Sequence, residues 1–181
     1  MIGDESAPDT TINVNLVDRS DNAEVAALFT NMRGGLGPAN IHRVLANTPD
    51  IFPAFIAYAH ALRARCAIEP TERELMILRV LERGGGHYEL HHHRGMARQE
   101  GLANAAIEAV ANWETASVFS DRQRLLLRFA DRFYDNEGLD AQTAQDMRAL
   151  FDDRTLVEIA LTLALYIGLT RLTNTLHVPI D

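Results

Sequence analysis

The stretch TERELMILRVLERGGGHYELHHHRGMARQEG, residues Thr71 to Gly101, decides how the chain is read: it predicts a helix, a glycine break and a second helix. Thr71 and Glu74 have the spacing of a capping box, and Glu74, Ile77, Leu78 and Leu81 fall on one stripe at helical spacing. Glu74 therefore points inward among leucines, where a carboxylate needs a partner or a proton. Glu72, Met76, Arg79 and Arg83 make the opposite, mostly polar face, and Met76 there marks an oligomer contact. Gly84, Gly85 and Gly86 end the first helix, because glycine enters the left-handed conformation of a C-terminal cap without penalty. On the second helix Glu89 and His93 stand one turn apart, with Met96, Ala97 and Glu100 continuing their stripe. His87, His91, Arg94 and Arg98 lie on roughly the opposite face, and Gly101 stops the helix.

Working outward, 181 residues with 47% hydrophobic content suit one soluble globular domain with a sizeable core. A net charge of -8 without any basic run argues against nucleic acid or an anionic membrane surface as partner and favours a small molecule. Cys66 is the only cysteine, so there is no internal disulfide and no Cys-x-x-Cys motif, which suits a reducing cytoplasm. Asp4 and Glu5 stand where a signal peptide carries basic residues, so no export signal is expected. Leu156 to Leu172 is the most apolar segment, but Glu158, Thr162, Tyr166 and Arg171 interrupt it, and it is short for a span of about 20 residues. It reads as a buried central helix.

Residues 1–22 read as an irregular N-terminal arm with Ile12, Val14 and Leu16 alternating, and 23–181 as a single helical domain. Caps and periodicity predict helices over Ala23–Met32, around Ile41 to Leu45, Ile51 to about Ala64, Asn104–Asn112, Asp121–Asn136, Asp140 to about Phe151, and Leu156–Asn174. No strand series appears, so the fold class is all-α.

The order Glu74, eleven residues, Gly86, two residues, Glu89, three residues, His93 resembles the active-site frame of the carboxymuconolactone decarboxylase and alkyl hydroperoxidase D superfamily. The peroxidase branch of that superfamily reads glutamate, Cys-x-x-Cys, histidine at this spacing. Here Gly86 and Glu89 stand at the two cysteine positions. The similarity extends to Pro38-Ala-Asn-Ile-His-Arg-Val-Leu-Ala-Asn-Thr-Pro-Asp50, to Glu72-Arg-Glu-Leu75 and to Leu172-Thr-Asn-Thr-Leu-His-Val-Pro179, and covers the chain from about Ile12. It implies a bundle of six or more helices assembled as a homotrimer or homohexamer, with sites near subunit interfaces.

The departure bears on the chemistry. Dithiol peroxide reduction needs a thiolate and a resolving thiol, and a glutamate replaces neither. The decarboxylase branch, which lacks the cysteine pair, implies an enzyme acting on a small carboxylated or lactone metabolite. His93, with a reference pKa of about 6.5, and a partly buried Glu89 then move a proton on the substrate's carbon skeleton, while Glu74 orients His93. Tyr88 joins as a substrate-binding residue, and Arg43, Arg79 and Arg94 are the candidates to hold a carboxylate. Two other readings stay open: a peroxidase-like protein relying on Cys66, which follows Arg63 and Arg65, and a non-catalytic oligomeric ligand-binding protein in which Glu74, Glu89 and His93 only fix helix packing. His87 and His91 have the spacing of a helical zinc pair but lack an identifiable third ligand, so no metal and no cofactor are expected.

Overall fold

The computed structural model describes residues 12–181, and among them every regular element is helical. The chain runs α1 (Ala23–Asn31), α2 (Asn40–Leu45), α3 (Phe52–Arg65), α4 (Pro70–Gly84), α5 (His87–Gln99), α6 (Asn104–Ala109), α7 (Asp121–Asp135), α8 (Ala141–Leu150) and α9 (Asp153–Thr175). The expected arm lies partly outside the described residues. Its described part packs on the chain's own α2, with Val17 N–H donating to Arg43 O at 3.1 Å and the Asn47 side chain to Asn15 O at 2.7 Å.

Short side chains set several helix starts. Asn22 accepts from the amides of Glu24 and Val25, Asp140 from Thr143 and Asp152 from Thr155, and Ser120 with Gln123 completes a capping box on α7. The capping box expected at Thr71 does not form. Pro70 occupies the first helical position, where its fixed φ starts the helix two residues early, so Thr71 lies inside the first turn and Glu74 is free to turn inward. At the other end Gly85 adopts the left-handed conformation (φ 61°) and Gly86 N–H returns to Leu81 O at 2.9 Å, the bond that reverses the chain into α5.

α4 is the central helix, packed against α5, α7 and α9. Every residue from Glu72 to Leu81 is buried, and Leu75, Ile77, Leu78 and Leu81 each contribute about 2 kcal/mol by leaving water. The polar outer face expected for α4 is therefore wrong, and with it the oligomer contact at Met76, which is fully enclosed. Its charged members are buried because other helices answer them: Arg122 of α7 grips Glu72 at 2.5 and 2.9 Å, and Asp131 of α7 grips Arg79 at 2.5 and 3.0 Å. The expected burial of the Leu156–Leu172 segment holds for one side only, since Val157 (57%) and Leu161 (42%) of α9 face outward.

Candidate active site

Glu74 from α4 meets His93 of α5, and Glu89 lies one turn before His93 on the same helix. Glu74 is completely buried, and its Oε2 lies 2.8 Å from His93 Nδ1. With Glu74 as acceptor Nδ1–H donates, and a neutral ring in that tautomer carries its lone pair on Nε2. The second Glu74 oxygen has no hydrogen-bond partner among the described residues. The Arg73 Nε at 3.8 Å supplies compensating charge, not a bond. The Tyr166 ring of α9 meets the His93 ring edge to face, with centroids 4.6 Å apart.

Glu89 is buried as well. Its Oε2 accepts from the Thr173 hydroxyl of α9 at 2.9 Å, while Oε1 is enclosed without a partner among the described residues. Burial pushes the Glu89 pKa up, against the pull of the Thr173 hydrogen bond, and so favours a carboxyl group that keeps its proton.

Glu89 and His93 face a cavity of about 680 Å³ between α3 and α5, bordered by α2 and α9. Phe55, Ala59 and Arg63 line it as one stripe of α3, and His93, Glu89 and Tyr88 line it from α5, whereas Glu74 sits behind His93. Tyr88 presents mainly its ring, since its hydroxyl accepts from Ile41 N–H at 3.1 Å and donates to Asp181 at 2.9 Å.

The structure does not bring the expected arginines into the cavity wall. Arg79 lies elsewhere, bound to Asp131 and to the Val110 and Ala111 carbonyls, and Arg43 is held by Asp18 and by Asn40 at 2.7 Å. Arg94 pairs with Glu82 at 2.7 Å. Arg63 and Arg33 take their place as cavity-lining cations. The α3 stripe itself was the available signal for Arg63, which follows Phe55 and Ala59 at successive turns. Arg33 reaches the cavity from a left-handed residue (φ 54°) in a glycine-rich turn, which no periodicity announces.

Cys66 does not line the cavity, and burial, with Glu158 beside it, pushes its thiol pKa up, away from the thiolate a peroxidase needs. His87 and His91 are exposed, and among the described residues no three His, Cys, Asp or Glu side chains gather as a metal site.

A helical bundle in which Glu89 and His93 of one core helix line a cavity, with Glu74 of the neighbouring helix bound to His93 from behind, is the class of protein the fold and site define. The carboxymuconolactone decarboxylase family model matches residues 49–132, the span that holds Glu74, Glu89 and His93, and this match supports membership of the carboxymuconolactone decarboxylase and alkyl hydroperoxidase D-like superfamily. The fold is similar to that of a peroxidase-related protein from a Silicibacter species, with a TM-score of 0.82 at 20% identity over 98% of this chain and 95% of that one. An alkylhydroperoxidase AhpD core protein from Ralstonia eutropha has a TM-score of 0.76 at 23% identity over 87% and 85%. The debrominase Bmp8, in complex with 2,3,4-tribromopyrrole, has a TM-score of 0.75 at 21% identity over 94% of each chain. At these identities the likeness is one of fold. No curated protein sequence matches significantly.

Proposed function

We propose that the chain is a decarboxylase-like enzyme acting on a small unsaturated lactone or carboxylated metabolite. One observation carries the reading: His93 is bound at Nδ1 by the buried Glu74, which leaves Nε2 as the basic atom beside a buried Glu89 in a cavity of about 680 Å³. Departure of carbon dioxide sends the bonding electron pair into the substrate's conjugated carbonyl. Glu89 then gives its proton to carbon and is recharged from water by way of His93 Nε2. Arg63, whose guanidinium lies 3.6 Å from Glu100 and 3.5 Å from the Met96 sulfur, keeps donors free for a carboxylate that stays on the substrate. The tribromopyrrole held by the similarly folded debrominase supports a small planar ring as ligand. The raised thiol pKa of Cys66 and its place outside the cavity wall count against the peroxidase alternative.

Carbon dioxide release from a panel of unsaturated lactone acids tests the reading. The wild type should turn over at least one of them, His93→Gln should lose about a hundredfold or more in kcat, and Glu74→Gln should lose activity while still folding. Equal rates for wild type and His93→Gln, or strong stability coupling between Glu74 and His93 with no turnover anywhere in the panel, would leave a packing network instead of an active site.

A further inference from the structure

We propose that His42 is a neutral hydrogen-bond donor for a carbonyl oxygen of the substrate, offering Nε2–H at the end of the cavity opposite Arg63. This deepens the decarboxylase-like reading and rests on it. The backbone fixes the tautomer. Ala39 N–H lies 3.2 Å from His42 Nδ1, and an amide N–H only donates, so Nδ1 must carry the lone pair and the ring proton must sit on Nε2. His42 lines the cavity, and among the described residues no group accepts from Nε2. Phe52 steadies the ring, with centroids 6.5 Å apart at 61°.

Burial holds the His42 pKa at about 4, with Asp181 opposing and Arg33 and His92 reinforcing, so the ring is uncharged at neutral pH. The Arg33 cation beside it is already matched: Nη1 lies 3.2 Å from Asp181 Oδ2. This end therefore offers a neutral donor, which suits a carbonyl better than a second carboxylate.

The rest of the cavity falls into register with that assignment. Phe52 sets the start of α3 beside His42, and Arg63 follows eleven residues later, about 16 Å along the helix. α5 runs the same way, because Tyr88 meets Ile41 of α2 at 3.1 Å and Met96 meets Arg63 at 3.5 Å, which leaves Glu89 and His93 in between. The ligand class is an unsaturated lactone acid with its carbonyl at His42, its lasting carboxylate at Arg63 and its reacting carbon between them. When the bond to the departing carboxylate breaks, its electron pair moves through the double bond onto that oxygen, and the Nε2–H bond strengthens as charge develops. The pair returns to carbon when Glu89 delivers its proton.

The test uses 4-nitrophenolate, whose oxygen carries the charge an enolate would. Calorimetric titration of the full chain should show binding that weakens at least tenfold in His42→Phe. His42→Gln, which keeps an N–H near the Nε2 position, should retain most of the affinity. Long-range proton–nitrogen spectra of labelled wild type need no variant: they should show the Nε2–H tautomer and a downfield shift of that proton on saturation. An Nδ1–H tautomer, an unmoved His42 signal, absence of binding by the wild type, or equal affinity in a folded His42→Phe protein would overturn the proposal. None of these readouts depends on turnover, so a negative lactone-acid screen leaves them standing and is told apart from them.

Discussion

A histidine held at Nδ1 by a fully enclosed glutamate has one lone pair left for chemistry, and the reach of neighbouring residues follows from how many of their atoms are already committed. Tyr88 has used its hydroxyl on Ile41 and Asp181, Arg79 has used its fork on Asp131, and Glu89 still holds one enclosed oxygen without a partner among the described residues. Titration adds a prediction at this scale. Unfolded, His42 takes up a proton near pH 6.5; folded, it resists protonation down to about 4. Between those values the unfolded chain holds more protons, so stability falls as the pH drops through that window, by at most about 3 kcal/mol from this residue. His92, also lowered by burial, acts in the same direction, and Glu89, raised by burial, in the opposite one above the ordinary glutamate range. The urea midpoint of the wild type should therefore drop more steeply than that of His42→Gln from pH 6.5 to 4. Parallel curves for the two proteins would remove His42 from the linkage. Glu74, Glu89 and His93 were legible because helical spacing alone sets which side chains share a stripe. The destinations of Arg43 and Arg79 were not, since a long cation goes to whichever carboxylate tertiary packing supplies, and His42 gains its role from a backbone amide that no side-chain pattern reveals.

At the scale of elements the α4–α5 corner is the tightest joint. A Cβ at Gly86 would lie 2.8 Å from Thr170 Oγ1 and 3.2 Å from its Cγ2, and one at Gly84 only 2.7 Å from the same methyl group. The corner lies flush on α9 for want of side chains, and this closeness lets Thr173, one turn from Thr170, reach Glu89. Gly86→Ala should therefore cost about 1–3 kcal/mol by overpacking. Thr170→Ala, which removes both obstructing atoms and sacrifices a hydroxyl oxygen that has no hydrogen-bond partner among the described residues, should recover most of that loss in the double variant. Thermal or urea unfolding of the four proteins measures the coupling; additive losses would show that the corner yields by moving elsewhere. The same contact bears on the cysteine position that Gly86 occupies in the superfamily pattern, because a thiol there needs a smaller residue at 170. Helix existence was readable from Asn22, Asp140 and Asp152 as caps, and the glycine reversal from Gly85. The start of α4 differs from the expected one because Pro70 and Thr71 both signal a beginning, and the proline's locked φ sets the cap two residues earlier, at Glu69.

For the whole molecule, periodicity identifies an apolar stripe but not how many neighbours cover the remaining faces. That is why α9 looked central and α4 two-sided, when α7 supplies Arg122 and Asp131 to bury the second face of α4. α9 is apolar and long enough to cross a membrane by length and composition, yet it packs along α4, α5 and α7 as part of the bundle. Its outer flank carries Val157, Leu161, Ala164 and Gly168 at successive turns, all exposed, and Tyr58 of α3 stands beside them with its hydroxyl 3.4 Å from Leu161 O. A flank of small and apolar residues lets another helix approach closely, and the homotrimer or homohexamer we expect places a second copy of this chain against it. Leu161→Glu puts a carboxylate in the middle of that contact without touching the cavity lining, and an unpaired buried charge costs several kcal/mol. Light scattering at tens of micromolar should then find the wild type as an oligomer and the variant as a monomer with unchanged helix content. A monomeric wild type, or a variant that stays assembled, would mean that this flank meets water or some other partner and that the cavity is complete within one chain.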